Sequence, residues 1–155
     1  MIIDDVASLR RLLKNSHTIA VVGLSANWWR PSYFAAKYMQ EHGYRIIPVN
    51  PMYTEVLGEK CYASLADIRE KIDIVDCFRK AEEMPALAEQ AIAMGAGCFW
   101  MQLGVANAAA ADLASQAGLD VVVDRCVKIE HARLFGGLNF AGVNTKIISA
   151  KRPVF

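Results

Sequence analysis

The stretch from Thr18 to Ser32, TIAVVGLSANWWRPS, constrains the fold more than any other part of the chain. Five nearly apolar residues run into Gly23, and a short loop leads to Pro31, Ser32 and a helical pattern. That succession reads as a buried parallel strand, a turn and a helix start. In a doubly wound α/β fold the carboxyl end of the first strand faces a helix N-terminus, where backbone N–H groups and the helix dipole attract phosphate. The stretch is therefore expected to cradle an anion, with a nucleotide as the ligand.

The glycines narrow the nucleotide. A dinucleotide fingerprint reads Gly-x-Gly-x-x-Gly, but Gly23 is followed by Leu24, Ser25, Ala26 and Asn27, so only the first glycine is in place. Gly23 still permits the tight turn. Ser25 offers a hydroxyl where a second glycine would bring the backbone close to phosphate, and Pro31 suits a first helical position. Arg30 adds a charge that forks onto phosphate oxygens. An ordinary strand-to-helix turn with a solvated arginine accounts for the same residues. At the end of the second strand a cofactor such as NAD usually needs an acid for its ribose hydroxyls, and this chain has Asn50-Pro51 there. Asn50 serves a hydroxyl or a phosphate oxygen without repelling negative charge, so a ligand phosphorylated on its ribose fits better than NAD. The competing reading is that Asn50-Pro51 merely turns the chain.

At 155 residues, 54% of them apolar and 21% charged, the chain is expected to form a single domain over 1–155 with little disorder and a surplus that suits an oligomer face. The net charge of +1, without blocks of like charge, leaves no electrostatic footprint for nucleic acid or a membrane surface. No apolar run nears the roughly 18 residues a membrane span needs, and Asp4 and Asp5 stand where a basic leader would begin. A cytoplasmic, reducing location is expected. Cys61, Cys77, Cys98 and Cys126 include no Cys-x-x-Cys pair, so no metal site is expected, and Cys77 and Cys98 read as small core residues.

In chain order, Val6, Leu9, Leu12 and Leu13 fall at helical spacing behind an Asp4 or Asp5 cap. Strand one covers 18–23. Helix two runs from near Ser32 to Gly43, and strand two is YRIIPVNP, where Pro48 points to an edge or an interrupted ladder. Residues 51–64 read as a loop, after which Ser64-Leu65-Ala66-Asp67 resembles a capping box opening a short helix. Strand three is expected at 73–78, a helix at 82–94, strand four as CFWMQL, a helix at 107–117 and strand five as LDVVVD. This alternation predicts a doubly wound Rossmann-like sheet, five parallel strands in the order 3-2-1-4-5 with helices on both faces. Ligand contacts are then expected at 23–32, 50–53, 78–80 and 102–107.

The runs GLSANWWRPSYFAAKYM, GYRIIPVNP, LGEKCYASLADI, DIVDCFRKAEEMP, FWMQLGV and AGLDVVVDRCVKIEHARL together resemble the small stand-alone CoA-binding proteins of bacteria and archaea. Those are similar to the N-terminal CoA-binding domain of the succinyl-CoA synthetase α subunit. The resemblance implies CoA or acyl-CoA as the ligand, with Gly23, Leu24, Ser25 and the backbone up to Ser32 at its phosphates. Asn50, Pro51, Met52 and Tyr53 would face the ribose 3′-phosphate. The synthetase has a lysine near that point and this chain does not, so Arg30 is the substitute cation. Phe78, Arg79, Gln102, Leu103 and Gly104 would line the nucleotide and the start of the pantetheine arm.

The synthetase also relies on a phosphorylated histidine in a second domain, and His17, His42 and His131 match none of its positions. The segment 124–131 crowds Arg125, Cys126, Lys128, Glu130 and His131 beyond strand five, read either as half of a site with a Cys126–His131 pair or as an Arg–Glu and Lys–Glu network anchoring the tail. Three classes therefore stand: a CoA-binding module without chemistry of its own, acting with a protein partner or as a homo-oligomer; a small CoA-dependent enzyme using 124–131; and a nicotinamide oxidoreductase, disfavoured by the broken fingerprint. The stretch after Gly136 carries Gly137, Asn139 and Gly142 and reads as flexible, ending in NTKIISAKRPVF, which suggests no chemistry.

Overall fold

The computed structural model describes residues 1–136; Gly137, Asn139, Gly142 and the NTKIISAKRPVF end lie outside them. Asp5 caps helix α1 (Val6–Asn15) by accepting from Ser8 N at 2.9 Å, and α1 buries Leu9 and Leu13. Strand β1 (Thr18–Val22) leads into α2 (Pro31–Glu41), with Pro31 at its first turn as the sequence suggests, and β2 (Arg45–Val49) comes next. The expected loop contains a small hairpin, β3 (Glu55–Val56) and β4 (Glu59–Lys60). The Ser64 hydroxyl does act as an N-cap, but the helix it opens is only one 3₁₀ turn over Leu65–Asp67. Then come β5 (Ile74–Cys77), a second 3₁₀ turn at Ala81–Glu83, α3 (Met84–Ala93) and β6 (Cys98–Met101). Helix α4 (Ala108–Gln116), β7 (Asp120–Val122) and α5 (Val127–Phe135) complete the described chain.

β1, β2, β5, β6 and β7 form one all-parallel sheet, a doubly wound α/β arrangement as expected. The order is β2-β1-β5-β6-β7, which corrects the expected 3-2-1-4-5: the third long strand lies beside β1, not outside β2. Pro48 supplies the physical reason. Its carbonyl accepts from Tyr62 N at 3.0 Å and Asn50 N donates to Tyr62 O at 2.8 Å, so the proline's missing N–H falls on the flank of β2 that faces away from β1. Among the described residues that flank holds a single bridge to Tyr62, and a full strand pairs on the other side of β1 instead. The point where the winding reverses therefore lies between β1 and β5.

Strand alternation divides the core. Ala20, Val22, Val75 and Phe99 face α3 and α4, whereas Ile19, Val21, Ile74 and Trp100 face α1, α2 and α5. At the far edge the chain start lies along β7, with Ile3 N donating to Val121 O at 2.8 Å and Val121 N donating to Met1 O at 2.9 Å.

Candidate functional site

The carboxyl end of β1 turns at Gly23 with φ +84°, a left-handed conformation that L side chains rarely adopt. Space is as limiting as conformation: a Cβ at position 23 would collide with the Phe78 carbonyl and lie 2.9 Å from Arg79 Cδ. Gly23 N donates to Val49 O at 2.8 Å and Phe78 N to Val22 O at 2.8 Å, so the ends of β2, β1 and β5 are drawn together at one glycine. Beyond it Ser32 Oγ, almost buried, accepts from Ser25 N at 3.0 Å, while Ser25 Oγ accepts from Asn27 N at 3.1 Å. The serines thus shape the loop internally. Arg30 sits at the N-cap of α2 without a side-chain capping bond, and the helix entrance is left open toward the turn.

Asn50 acts as a clamp. Its Nδ2 donates to Leu24 O at 3.1 Å and its Oδ1 accepts from Met52 N at 2.9 Å, which ties the β1 turn to the β2 turn. The carboxamide faces backbone on both sides, the chain-turning reading of this residue.

A cleft of about 170 Å³ opens beside this clamp, bounded by Gly23, Asn50 and Pro51 on one side, by Ser64 and Leu65 below, and by Arg79, Leu87 and Gln90 opposite. Four of the sequence-derived residues meet here: Gly23, Asn50, Pro51 and Arg79. Leu24 is fully buried beneath the turn, and Ser25, Arg30 and Ser32 belong to the loop next to the cleft. Met52 is 80% exposed outside it, and Tyr53 and Phe78 pack against the α1/α2/α5 side of the core. Arg79 is the cation that lines the cleft; its guanidinium meets the Glu83 carboxylate at 3.0 Å, both half in solvent. Sequence reading missed Ser64, Leu87 and Gln90. Ser64 was visible only as a cap, and Leu87 and Gln90 carry a signal only through their i, i+3 spacing on α3.

The end of β6 is held by two internal hydrogen bonds. Gln102 is buried and its Nε2 donates to Asp76 Oδ1 in the middle of β5. Burial pushes the Asp76 carboxyl up to about 8, partly offset by the Gln102 hydrogen bond. Gly104, at φ +85°, donates its N–H to Asp124 Oδ1 at 2.6 Å, which fastens the β6–α4 loop to the end of β7.

The segment 124–131 forms the entry to α5. Glu130 Oε1 accepts from Arg133 at 2.8 Å and from Arg125 at 3.4 Å, the Arg–Glu part of the expected network, while Lys128 lies over the rings of Phe34 and Tyr38; the tail that the network was expected to anchor lies outside the described residues. Cys126 stands at the N-cap of α5, and His131 takes a different partner. His131 Nδ1 is 2.9 Å from Tyr38 Oη within a cluster of His42, Tyr44 and Phe135 rings, and burial together with His42 lowers it to about 4. Burial raises the Cys126 thiol. His42 caps α2, His17 is exposed, and the described residues contain no group of His, Cys, Asp and Glu able to hold a metal ion.

Comparison with known proteins gives a consistent picture. A profile for the CoA binding domain matches residues 17–132. An uncharacterized protein of Bacillus subtilis, YneT, is 43% identical over 126 residues, spanning 81% of this chain and 93% of that one. The solved structure of a hypothetical protein from Pyrococcus horikoshii OT3 superposes with a TM-score of 0.83 at 43% identity, covering 88% of this chain and 97% of the other. A 57-residue stretch, 37% of this chain, is 33% identical to the ADP-forming acetate–CoA ligase of Methanocaldococcus jannaschii, of which it spans 8%.

Proposed function

The chain belongs to the CoA binding domain family, and from that premise we propose that it binds CoA or an acyl-CoA across the carboxyl edge of its sheet, as a binding module without chemistry of its own. The turn at Gly23 carries the reading. Its close approach to Phe78 and Arg79 leaves backbone, with no side chain, at the point where a doubly wound fold meets a ligand's phosphates. The pyrophosphate lies over Gly23 to Ser25 and the start of α2, with Arg30 beside it. The 3′-phosphate lies toward Arg79, the cation at the cleft, and the pantetheine arm leaves past Phe78 toward the Leu103–Gly104 end of β6.

Binding without catalysis is favoured because the Cys126–His131 combination beyond β7 is split between an α5 cap and a ring cluster. Asn50 where a nicotinamide site would have an acid argues against a dehydrogenase. Acetate–CoA ligases carry a segment like this within far longer chains, which supports a role in concert with a second protein, or with another copy of this one. No helix among the described residues is long and apolar enough to cross a membrane, and a cytoplasmic location fits this reading.

Mass spectrometry of small molecules released from natively purified protein, together with thermal melting in added CoA, tests the proposal. One CoA or acyl-CoA per chain, and a melting temperature that climbs with CoA concentration, are expected. No shift at millimolar CoA would overturn it.

A further inference from the structure

All three histidines of the chain line one cavity. It measures about 290 Å³ and opens at the amino ends of β1 and β2, the edge of the sheet opposite Gly23. His17 comes from the turn between α1 and β1, His42 from the C-cap of α2 and His131 from α5, so three separate parts of the fold converge there. Lys14, in the last turn of α1, adds an ammonium, and no carboxylate is among the described residues that line the space. The acids nearby are engaged elsewhere: Asp73 accepts from the backbone N–H groups of His17 and Thr18 at 2.8 and 3.0 Å, and Glu130 accepts from Arg133 and Arg125.

The imidazoles are oriented by Tyr38. Its carbonyl accepts from His42 Nδ1 at 2.7 Å, and its hydroxyl lies 2.9 Å from His131 Nδ1. A phenol that donates to Nδ1 leaves the proton of neutral His131 on Nε2. The Nε2 atoms of His42 and His131 have no hydrogen-bond partner among the described residues. Beside these donors the cavity is apolar, with Leu13 and the rings of Tyr44 and Phe135 as walls, and Arg10 stands over the Phe135 ring at 5.1 Å.

Both halves of that lining limit the occupant. An inorganic anion would leave the leucine and the two rings unused, and a neutral ring would leave the ammonium and the imidazoles without a partner. A single negative charge matches the single ammonium. At about 290 Å³ the space is near the lower end of the roughly 300–1,000 Å³ of small-molecule sites, so the body that carries the charge must be small.

We propose that this cavity binds a small aromatic carboxylate, a ligand separate from the one at the Gly23 edge and independent of what that ligand is. The carboxylate meets Lys14 and the imidazole N–H groups, and the ring lies against Leu13, Tyr44 and Phe135.

Benzoate is the probe, with NMR of the imidazole protons of the full chain as the readout. Benzoate should move the His42 and His131 signals along one saturating curve. It should also carry the His131 titration upward from about 4, because a negative charge beside the ring favours imidazolium. Benzyl alcohol, which has the ring without the charge, and inorganic phosphate, which has charge without the ring, should each bind about tenfold or more weakly. Lys14→Met, an exposed change that keeps most of the stem, should weaken benzoate by about two- to fivefold, bring it closer to benzyl alcohol and leave the melting curve unchanged. An unmoved His131 signal, or benzyl alcohol or phosphate binding within about threefold of benzoate, would overturn the proposal. So would Lys14→Met protein that keeps the wild-type preference for benzoate over benzyl alcohol.

Discussion

Asn50 holds the Leu24 carbonyl across the mouth of β1, at 3.1 Å and in a position where Leu24 is wholly shielded from solvent. Asn50→Ala therefore leaves a buried acceptor without its donor, at a cost of about 1–3 kcal/mol. A fall in melting temperature of roughly 2–10 °C is expected for a chain of this size, accompanied by weaker CoA binding because the phosphate turn loses its brace. A variant as stable as wild type would show that water replaces the amide.

Gly23→Ala meets both a left-handed backbone and the Phe78 carbonyl. The handedness alone costs about 1–2 kcal/mol, and relieving the collision requires β1 and β5 to part at their ligand ends. Denaturant unfolding should show a loss of at least about 2 kcal/mol, and calorimetry little or no CoA binding in whatever folds. Retained affinity would place the phosphates elsewhere.

The two arginines should separate by ligand. Arg79→Ala is expected to shrink the preference for CoA over dephospho-CoA, by about fivefold or less because the side chain is half in solvent and shares its charge with Glu83. Arg30→Ala should weaken both ligands alike, since it stands at the phosphate turn. The resemblance to the synthetase alone assigned the 3′-phosphate to Arg30; isothermal titration of both ligands against both variants decides between the two assignments.

Asp76 makes stability fall with rising pH. Its carboxyl is raised from 3.8 to about 8 in the fold, so the advantage of the protonated form is complete below the unfolded value and is lost as pH rises through the folded one. His131 works the other way: lowered from 6.5 to about 4, it adds stability that is present above 6.5 and lost as pH falls through 4. The two slopes oppose each other up to about 6.5 and only that of Asp76 continues beyond. Wild type should lose stability between pH 6.5 and 8, and Asp76→Asn should flatten that decline, with an upper figure of roughly 6 kcal/mol for the whole Asp76 effect. An unchanged slope in Asp76→Asn would assign the pH dependence to other groups.

The chain's periodicities made its helices and strands legible, because buried parallel strands and capped helices leave local marks such as Asp5 and Pro31. Strand order was less accessible, since it depends on which flank of β1 receives β5, a choice between distant segments. Pro48 did mark β2 as an edge strand, and giving that residue full weight would have excluded an order with β2 inside the sheet. Gly23 and Arg79 were legible at the cleft because strand ends imply them. Ser64 and Gln90 were not, because they meet at one cleft only where α3 packs beside the Leu65–Asp67 turn, for which no local pattern exists. The bond from Gln102 to a buried carboxyl one strand away was not legible either, because it joins two strands distant in sequence.

The flanks of the sheet have a bearing on how this chain meets other chains. β2 offers a proline and a single bridge to Tyr62, and β7 is lined by the residues around Ile2. Among the described residues neither flank presents a long row of vacant backbone groups, so strand addition between molecules has little to template on. Any contact with another chain would then use helix and loop surfaces, and the indole rings of Trp28 and Trp29, 65% and 59% exposed on the β1–α2 loop, would couple such a contact to the neighbouring Gly23 turn.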